Sequence, residues 1–123
     1  METLKSLLKA GNIRRVEILR IPDDVMTRTS VTPEVIRSIA SYKVIFNDGF
    51  ESTFGSLLSE TAFNRSSQNS DLRWGVLFYD NSGQEVGTIF VDKFGENGFV
   101  DKETVRFSSN LAKRLRQIVR ELQ

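Results

Sequence analysis

Residues 73 to 92 carry the strongest structural pattern in this chain, since two β-rich segments, RWGVLFYD and EVGTIFVD, are joined by NSGQ. Both segments place apolar side chains on alternate sides, which is typical of strands at the centre of a sheet that is covered on both faces. Gly83 can take the positive φ that the turn of a bulged hairpin requires. We therefore expect the chain to fold around an antiparallel β-hairpin.

The alternation within this hairpin predicts which side chains share a face of the sheet. Trp74, Val76 and Phe78 are expected on one face, and Leu77 and Tyr79 on the other. In the second strand, Val86 and Phe90 are expected to oppose Ile89 and Val91.

The segments before the hairpin predict alternating short helices and strands. Helices are expected over residues 2 to 10, after the N-cap Thr32, and over residues 52 to 63, although strand is not excluded for the last segment. The face of the second helix would comprise Val35, Ile36, Ile39 and Ala40. Strands are expected over residues 16 to 21 and 42 to 46, and loops over residues 22 to 30 and 64 to 70.

The segments after the hairpin predict the rest of a β-meander and a final helix. A reversal at residues 93 to 98 would lead into short strands at residues 99 to 100 and 104 to 107. An amphipathic helix over residues 109 to 122, capped by Ser108 or Ser109, would then pack on the sheet. The sequence therefore predicts one α+β domain over residues 1 to 123, with an antiparallel sheet centred on the hairpin.

The chain contains no histidine and no cysteine. Histidine is the side chain that titrates near neutral pH, and cysteine is the readiest nucleophile and soft metal ligand. We therefore expect no catalytic residues, no metal site and no cofactor, so the protein is predicted not to be an enzyme. Neither GxGxxG nor GxxxxGK[ST] occurs, which argues against a phosphate-binding loop.

The chain carries a formal net charge of +1, but its charges are unevenly distributed. The net charge is +3 over residues 1 to 47, −6 over residues 48 to 103 and +4 over residues 104 to 123. The absence of cysteine, of a secretory signal and of a long apolar run predicts a cytoplasmic protein without a membrane partner. We also expect no nucleic-acid partner and no small-molecule substrate, because the basic C-terminal helix lacks interleaved aromatic side chains and no catalytic constellation is visible.

Acidic side chains are concentrated in or beside the turns of the meander, where loops present side chains to partners. An acidic rim around an aromatic side chain is typical of a protein interface, although Phe94 could equally fold against the sheet as a turn plug. The candidate partner-binding residues are Glu85, Asp92, Phe94, Glu96, Asp101 and Glu103.

The run from residue 73 to residue 111, with RWGVLFYD, IFVDKFGENGFVD and VRFSSNL, resembles the C-terminal half of small bacterial immunity proteins. These are the antidotes of contact-dependent growth inhibition and other polymorphic toxin systems. The resemblance implies a cytoplasmic protein that binds one cognate toxin domain, often a nuclease, and blocks its active site. It assigns no interface residue.

Two other classes of function stay open at this point. The first is an adaptor or chaperone-like interaction domain with several partners and modest affinity. The second is a small enzyme that works through carboxylates alone, for which the sequence indicates no particular residue.

Overall fold

The computed structural model describes residues 2 to 22, 25, 30 to 40, 42 to 66 and 70 to 122. These residues form four helices and seven strands. In order they are α1 (Glu2–Lys9), β1 (Ile13–Arg20), α2 (Pro33–Ile39), β2 (Tyr42–Phe46), α3 (Glu51–Glu60), β3 (Phe63–Arg65), β4 (Leu72–Asp80), β5 (Glu85–Asp92), β6 (Asn97–Val100), β7 (Glu103–Phe107) and α4 (Leu111–Leu122).

The strands form one open antiparallel sheet in the order β2-β1-β4-β5-β6-β7-β3. The predicted hairpin, β4 and β5, lies inside this sheet and is turned by Gly83 at a φ of 84°. Strands β4 to β7 follow one another as a meander, whereas β1 and β2 extend the sheet on one side and β3 ends it on the other. The predicted single α+β domain built on this hairpin is confirmed.

The larger hydrophobic core covers one face of the sheet, which we call the helical face. Trp74, Val76 and Phe78 of β4 pack there with buried side chains of α1, α3 and α4. Phe54 of α3 lies edge-on to Phe78, with ring centroids 6.0 Å apart. Burying so many large apolar side chains is the main stabilising contribution in a domain of this size.

The opposite face, which we call the α2 face, has a smaller core. Leu19, Leu77 and Phe90 of the sheet pack there with Ile36 of α2. The side chain of Thr32 caps this helix, because its hydroxyl oxygen accepts a hydrogen bond of 3.3 Å from the backbone N–H of Val35. No helix among the described residues is long and apolar enough to cross a membrane.

Several local predictions were wrong. Residues 63 to 65 form β3, whereas the sequence placed them at the end of a helix and in a loop. Val86 packs against the core of the helical face, with Ile89 and Val91 rather than with Phe90, because the β4–β5 register shifts between Phe78 and Tyr79.

The packing face of α2 and the start of α4 also differ from expectation, whereas the predicted packing of α4 on the sheet is confirmed. In α2 only Ile36 is buried, while Val35 and Ile39 are exposed. In α4 the helix begins at Leu111, and the Asn110 side chain caps it by accepting a hydrogen bond of 3.0 Å from the backbone N–H of Lys113. Most of the predicted loop over residues 22 to 30 and the middle of the loop over residues 64 to 70 lie outside the described residues.

Candidate functional site

Phe94 is the most exposed of the large hydrophobic side chains in the described part of the chain, with 61% of its surface accessible. It lies in the turn between β5 and β6, and the ammonium group of Lys93 is 5.1 Å from the centroid of its ring. Burying a phenylalanine side chain stabilises a protein by about 1.5–3 kcal/mol, so this exposure leaves that contribution unused within the monomer. The side chain is not folded against the sheet.

Hydrogen bonds close the turn that carries Phe94 and join it to β7. The Asp92 carboxylate accepts a bond of 3.1 Å from the Glu96 N–H, and the Asp92 carbonyl accepts one of 3.2 Å from the Gly95 N–H. The Glu96 carbonyl accepts a bond of 2.7 Å from the N–H of Phe107 in β7. These bonds fix the backbone on which Phe94 is presented.

Gly95 also ties this turn to the start of α4. Its φ is 75°, and a Cβ atom there would meet the Asn110 side chain and the backbone of Ala112. The Gly95 carbonyl accepts a hydrogen bond of 3.3 Å from the N–H of Leu111. The left-handed φ and the close approach to the start of α4 both require glycine at residue 95.

The remaining acidic candidates of this turn have different roles. Asp92 is buried and its carboxylate is engaged in the turn, so it serves the local structure. Glu96 is exposed in the same turn as Phe94. Of the six candidates, Phe94 and Glu96 are therefore the two exposed in one turn, which we call the Phe94 turn.

The other three candidates lie at the opposite end of the sheet. Glu85 begins β5 and accepts two hydrogen bonds, of 2.8 and 2.7 Å, from the guanidinium of Arg37 in α2. Asp101 lies in the β6–β7 turn at a φ of 54°, and its carboxylate accepts a bond of 3.0 Å from the Thr88 N–H. Glu103 is 3.0 Å from Arg65 of β3.

The two groups of candidates cannot form one continuous rim. β5 has eight residues and joins Glu85 to Asp92. At about 3.3 Å per residue the two ends of this strand are roughly 23 Å apart. Glu85 and Asp101 instead line a groove of about 540 Å³ beside α2, together with Arg37 and Lys102. The acidic character of this groove is offset by its cations.

Hydrogen bonding shifts the ionisation of two groups near this end of the sheet. The hydrogen bonds with Glu85 raise the pKa of Arg37, so its guanidinium stays charged. The pKa of Asp80, in the β4–β5 turn, is lowered because its carboxylate accepts hydrogen bonds from the Ser82 hydroxyl and from the Gln84 N–H. Both pKa shifts favour the ionised side chain. For Arg37 this is the cation in contact with Glu85, and for Asp80 it is the carboxylate that accepts the hydrogen bonds of the turn.

Sequence reasoning missed a buried carboxylate on the α2 face. Glu17 lies in β1 with its side chain 5% exposed, 2.9 Å from the Nε atom of Arg15 and 3.1 Å from the Nζ atom of Lys43. These are ion-pair contacts without aligned hydrogen bonds, since Arg15 Nε and Glu17 Oε1 lack a hydrogen-bond partner. The signal in the sequence was a glutamate inside the apolar strand VEILRI.

The described residues contain no group of three or more acidic side chains that could hold a metal ion. Comparisons of this chain with protein-family models, with curated proteins and with solved structures find no significant match. The function must therefore be argued from the geometry of the chain itself.

Proposed function

We propose that this protein binds another protein and that the Phe94 turn is the centre of the contact. The observation that carries the proposal is a largely exposed phenylalanine on a turn that hydrogen bonds hold in place. Binding energy at protein interfaces is concentrated in a few aromatic and arginine side chains that become desolvated. A fixed turn also loses little conformational entropy on association, which favours affinity.

The partner class that we propose is a cognate bacterial toxin domain, as for the immunity proteins that residues 73 to 111 resemble. The protein would act in the cytoplasm as a non-enzymatic antidote that covers the toxin's active site. Glu96 is exposed in the same turn as Phe94, so the partner surface would combine an apolar pocket with a basic side chain. A toxin that cleaves nucleic acid offers such a surface, because its cleft must attract phosphate groups.

The test takes the C-terminal domain encoded in the neighbouring upstream reading frame as the candidate toxin and expresses it in cells from an inducible promoter. The wild-type protein should restore growth, and purified protein should bind the purified toxin domain. Phe94→Ala should remove more than 1 kcal/mol of binding energy, as at a typical hot spot, chiefly through faster dissociation. Glu96→Lys should slow association and weaken its dependence on salt.

Glu103→Gln is the matched control, because it changes an exposed acid at the far end of the sheet. This variant should protect cells as well as the wild type does. Full protection by a folded Phe94→Ala variant would contradict the proposed contact. The absence of any binding between the wild-type protein and the toxin domain would contradict the proposed partner.

A further inference from the structure

The first observation concerns the edge strand β2, Tyr42–Phe46. It has one strand neighbour in the described part of the chain, β1. The backbone N–H and C=O groups that point away from β1 are therefore available to a further strand, which is how sheets extend across molecules.

The second observation is an exposed apolar surface along this edge. Tyr42 is 58% exposed and Ile45 is 48% exposed, and Ile39 at the end of α2 is exposed as well. Tyr42 and Val44 also line a recess of about 300 Å³ with Val119 of α4. Tyr42 and Ile45 lie on opposite faces of the sheet, because strand side chains alternate, so both faces of the edge carry an exposed apolar side chain. Single exposed apolar side chains are normal, but their presence on both faces of an unpaired strand indicates an interaction site.

The third observation concerns the charge that would ordinarily protect such an edge. Lysine on an edge strand discourages pairing, because its ammonium must be stripped of water when another strand arrives. Lys43 is the charged residue of β2, and its ammonium lies 3.1 Å from the buried carboxylate of Glu17. Its side chain is 53% exposed, but it already has a buried counter-charge within the monomer, which it shares with Arg15.

The fourth observation is that β2 can pair with a second copy of itself in a register that opposes no like charges. A two-fold axis perpendicular to the sheet at Val44 keeps each face on its own side and pairs all five residues. Tyr42 then lies opposite Phe46 of the second copy, and Lys43 lies opposite Ile45 of the second copy. An axis at Lys43 would instead place two ammonium groups opposite each other, which is unfavourable.

We propose that a second copy of this chain pairs with β2 in antiparallel fashion about Val44, so that one sheet runs through both molecules. The occupant follows from the register, since the same five residues satisfy both sides without opposing like charges. The interface is small, and interfaces below about 1,200 Å² are typical of weak complexes. We therefore expect a dimer whose population rises with protein concentration.

The experiment is sedimentation equilibrium of the purified full chain from about 10 µM to 1 mM, a range suited to weak association. The apparent mass of the wild type should rise from 14.0 kDa towards twice that value. Hydrogen exchange at both limits should show that the amides of β2 become protected at the higher concentration. Protection there locates the contact in the strand.

Ile45→Lys is the diagnostic variant. The new ammonium would lie opposite Lys43 of the second copy, whereas within its own chain it lies across from Glu17, which favours folding. The dissociation constant of the dimer should rise at least tenfold, with an unchanged circular dichroism spectrum. Phe94→Ala is the matched control, because it removes an exposed apolar side chain outside the edge and should leave the dimer intact.

An apparent mass that stays at 14.0 kDa over the whole concentration range overturns the proposal. In that case β2 either stays unpaired or pairs with a strand of another protein. A dimer that forms equally well with Ile45→Lys, or without protection of the β2 amides, also overturns it. The toxin-protection experiment is independent, because Ile45 and Phe94 lie on different elements.

Discussion

The two edges of this sheet are built in opposite ways. β3 has three residues, and its Arg65 is 84% exposed and pairs with Glu103 at the surface. β2 has five residues, exposes Tyr42 and Ile45, and directs its lysine towards a buried glutamate. A short, charged edge discourages pairing with other chains, whereas a longer apolar edge invites it.

The difference shows that the position of the counter-charge matters as much as the charge itself. Arg65 and Glu103 both stay in water, so a strand approaching β3 would have to desolvate the two groups together. The carboxylate that compensates Lys43 is already buried. A strand that pairs with β2 must desolvate Lys43, but the counter-charge of Lys43 has already been desolvated by folding. The added desolvation cost is therefore smaller than at β3.

The largest expected effect tests how firmly each edge is held by the core. Phe46 of β2 is buried, with its ring centroid 5.6 Å from that of Phe54, whereas Phe63 of β3 is half-buried. Phe46→Ala should lower the free energy of unfolding by about 3–5 kcal/mol. Phe63→Ala should cost about 1–2 kcal/mol, since less apolar surface is lost.

Urea denaturation of both variants measures this difference. Equal losses in the two variants would mean that β2 depends on the core no more than β3 does. The comparison of the two edges would then rest on their charges alone.

A second, smaller effect converts β2 into an edge with a free charge. Glu17→Gln leaves Arg15 and Lys43 without their shared counter-ion. Losing one member of a fully buried pair costs about 3–5 kcal/mol, but both cations here are partly exposed, so we expect about 1–2 kcal/mol. The dimer should also weaken, because Lys43 regains a hydration shell that pairing must remove. A more stable dimer in Glu17→Gln would refute the argument from charge compensation.

The elements that sequence analysis located are those whose signals are local. The hairpin of β4 and β5, the strand β2 and the Thr32 cap of α2 each follow from side chains within a few residues. β3 has no such signal, because its three residues become a strand through pairing with β7. Hydrophobic periodicity indicates which side chains of a segment are buried. It predicts strand pairing only where the strand is long enough to show the alternation.

The error at the start of α4 and the grouping of the acidic candidates both concern contacts between residues that are far apart in the sequence. Ser108, Ser109 and Asn110 are all able to cap a helix, and the bond between the Gly95 carbonyl and the Leu111 N–H is consistent with a helix that begins after Asn110. The acidic candidates were grouped because they are neighbours in sequence. The length of β5 separates them, and the contact of Glu85 with Arg37, which is 48 residues away, could not be anticipated.

An acid titration tests the Asp80 carboxylate, which lies at the end of β4 and not at either edge of the sheet. Its folded pKa is lowered, so its stabilising contribution is complete above its unfolded pKa of about 3.9 and is lost as the pH falls through the folded pKa. Asp80→Asn should therefore lose less stability between about pH 4 and pH 2 than the wild type does. Thermal midpoints across this range provide the measurement. Identical acid profiles would show that these hydrogen bonds do not depend on the charge of Asp80.

The smallest expected effect concerns the surface pair of β3. Glu103→Gln removes the contact of 3.0 Å with Arg65, and exposed pairs contribute about 0–1 kcal/mol, so the midpoint in urea should hardly move. The variant should also stay monomeric at the β3 edge, because Arg65 remains exposed and the strand has only three residues to offer. Hydrogen exchange of β3 at high protein concentration checks this. New protection there would mean that the ion pair, and not the shortness of the strand, keeps β3 from pairing, and the contrast between the two edges would reduce to one of charge.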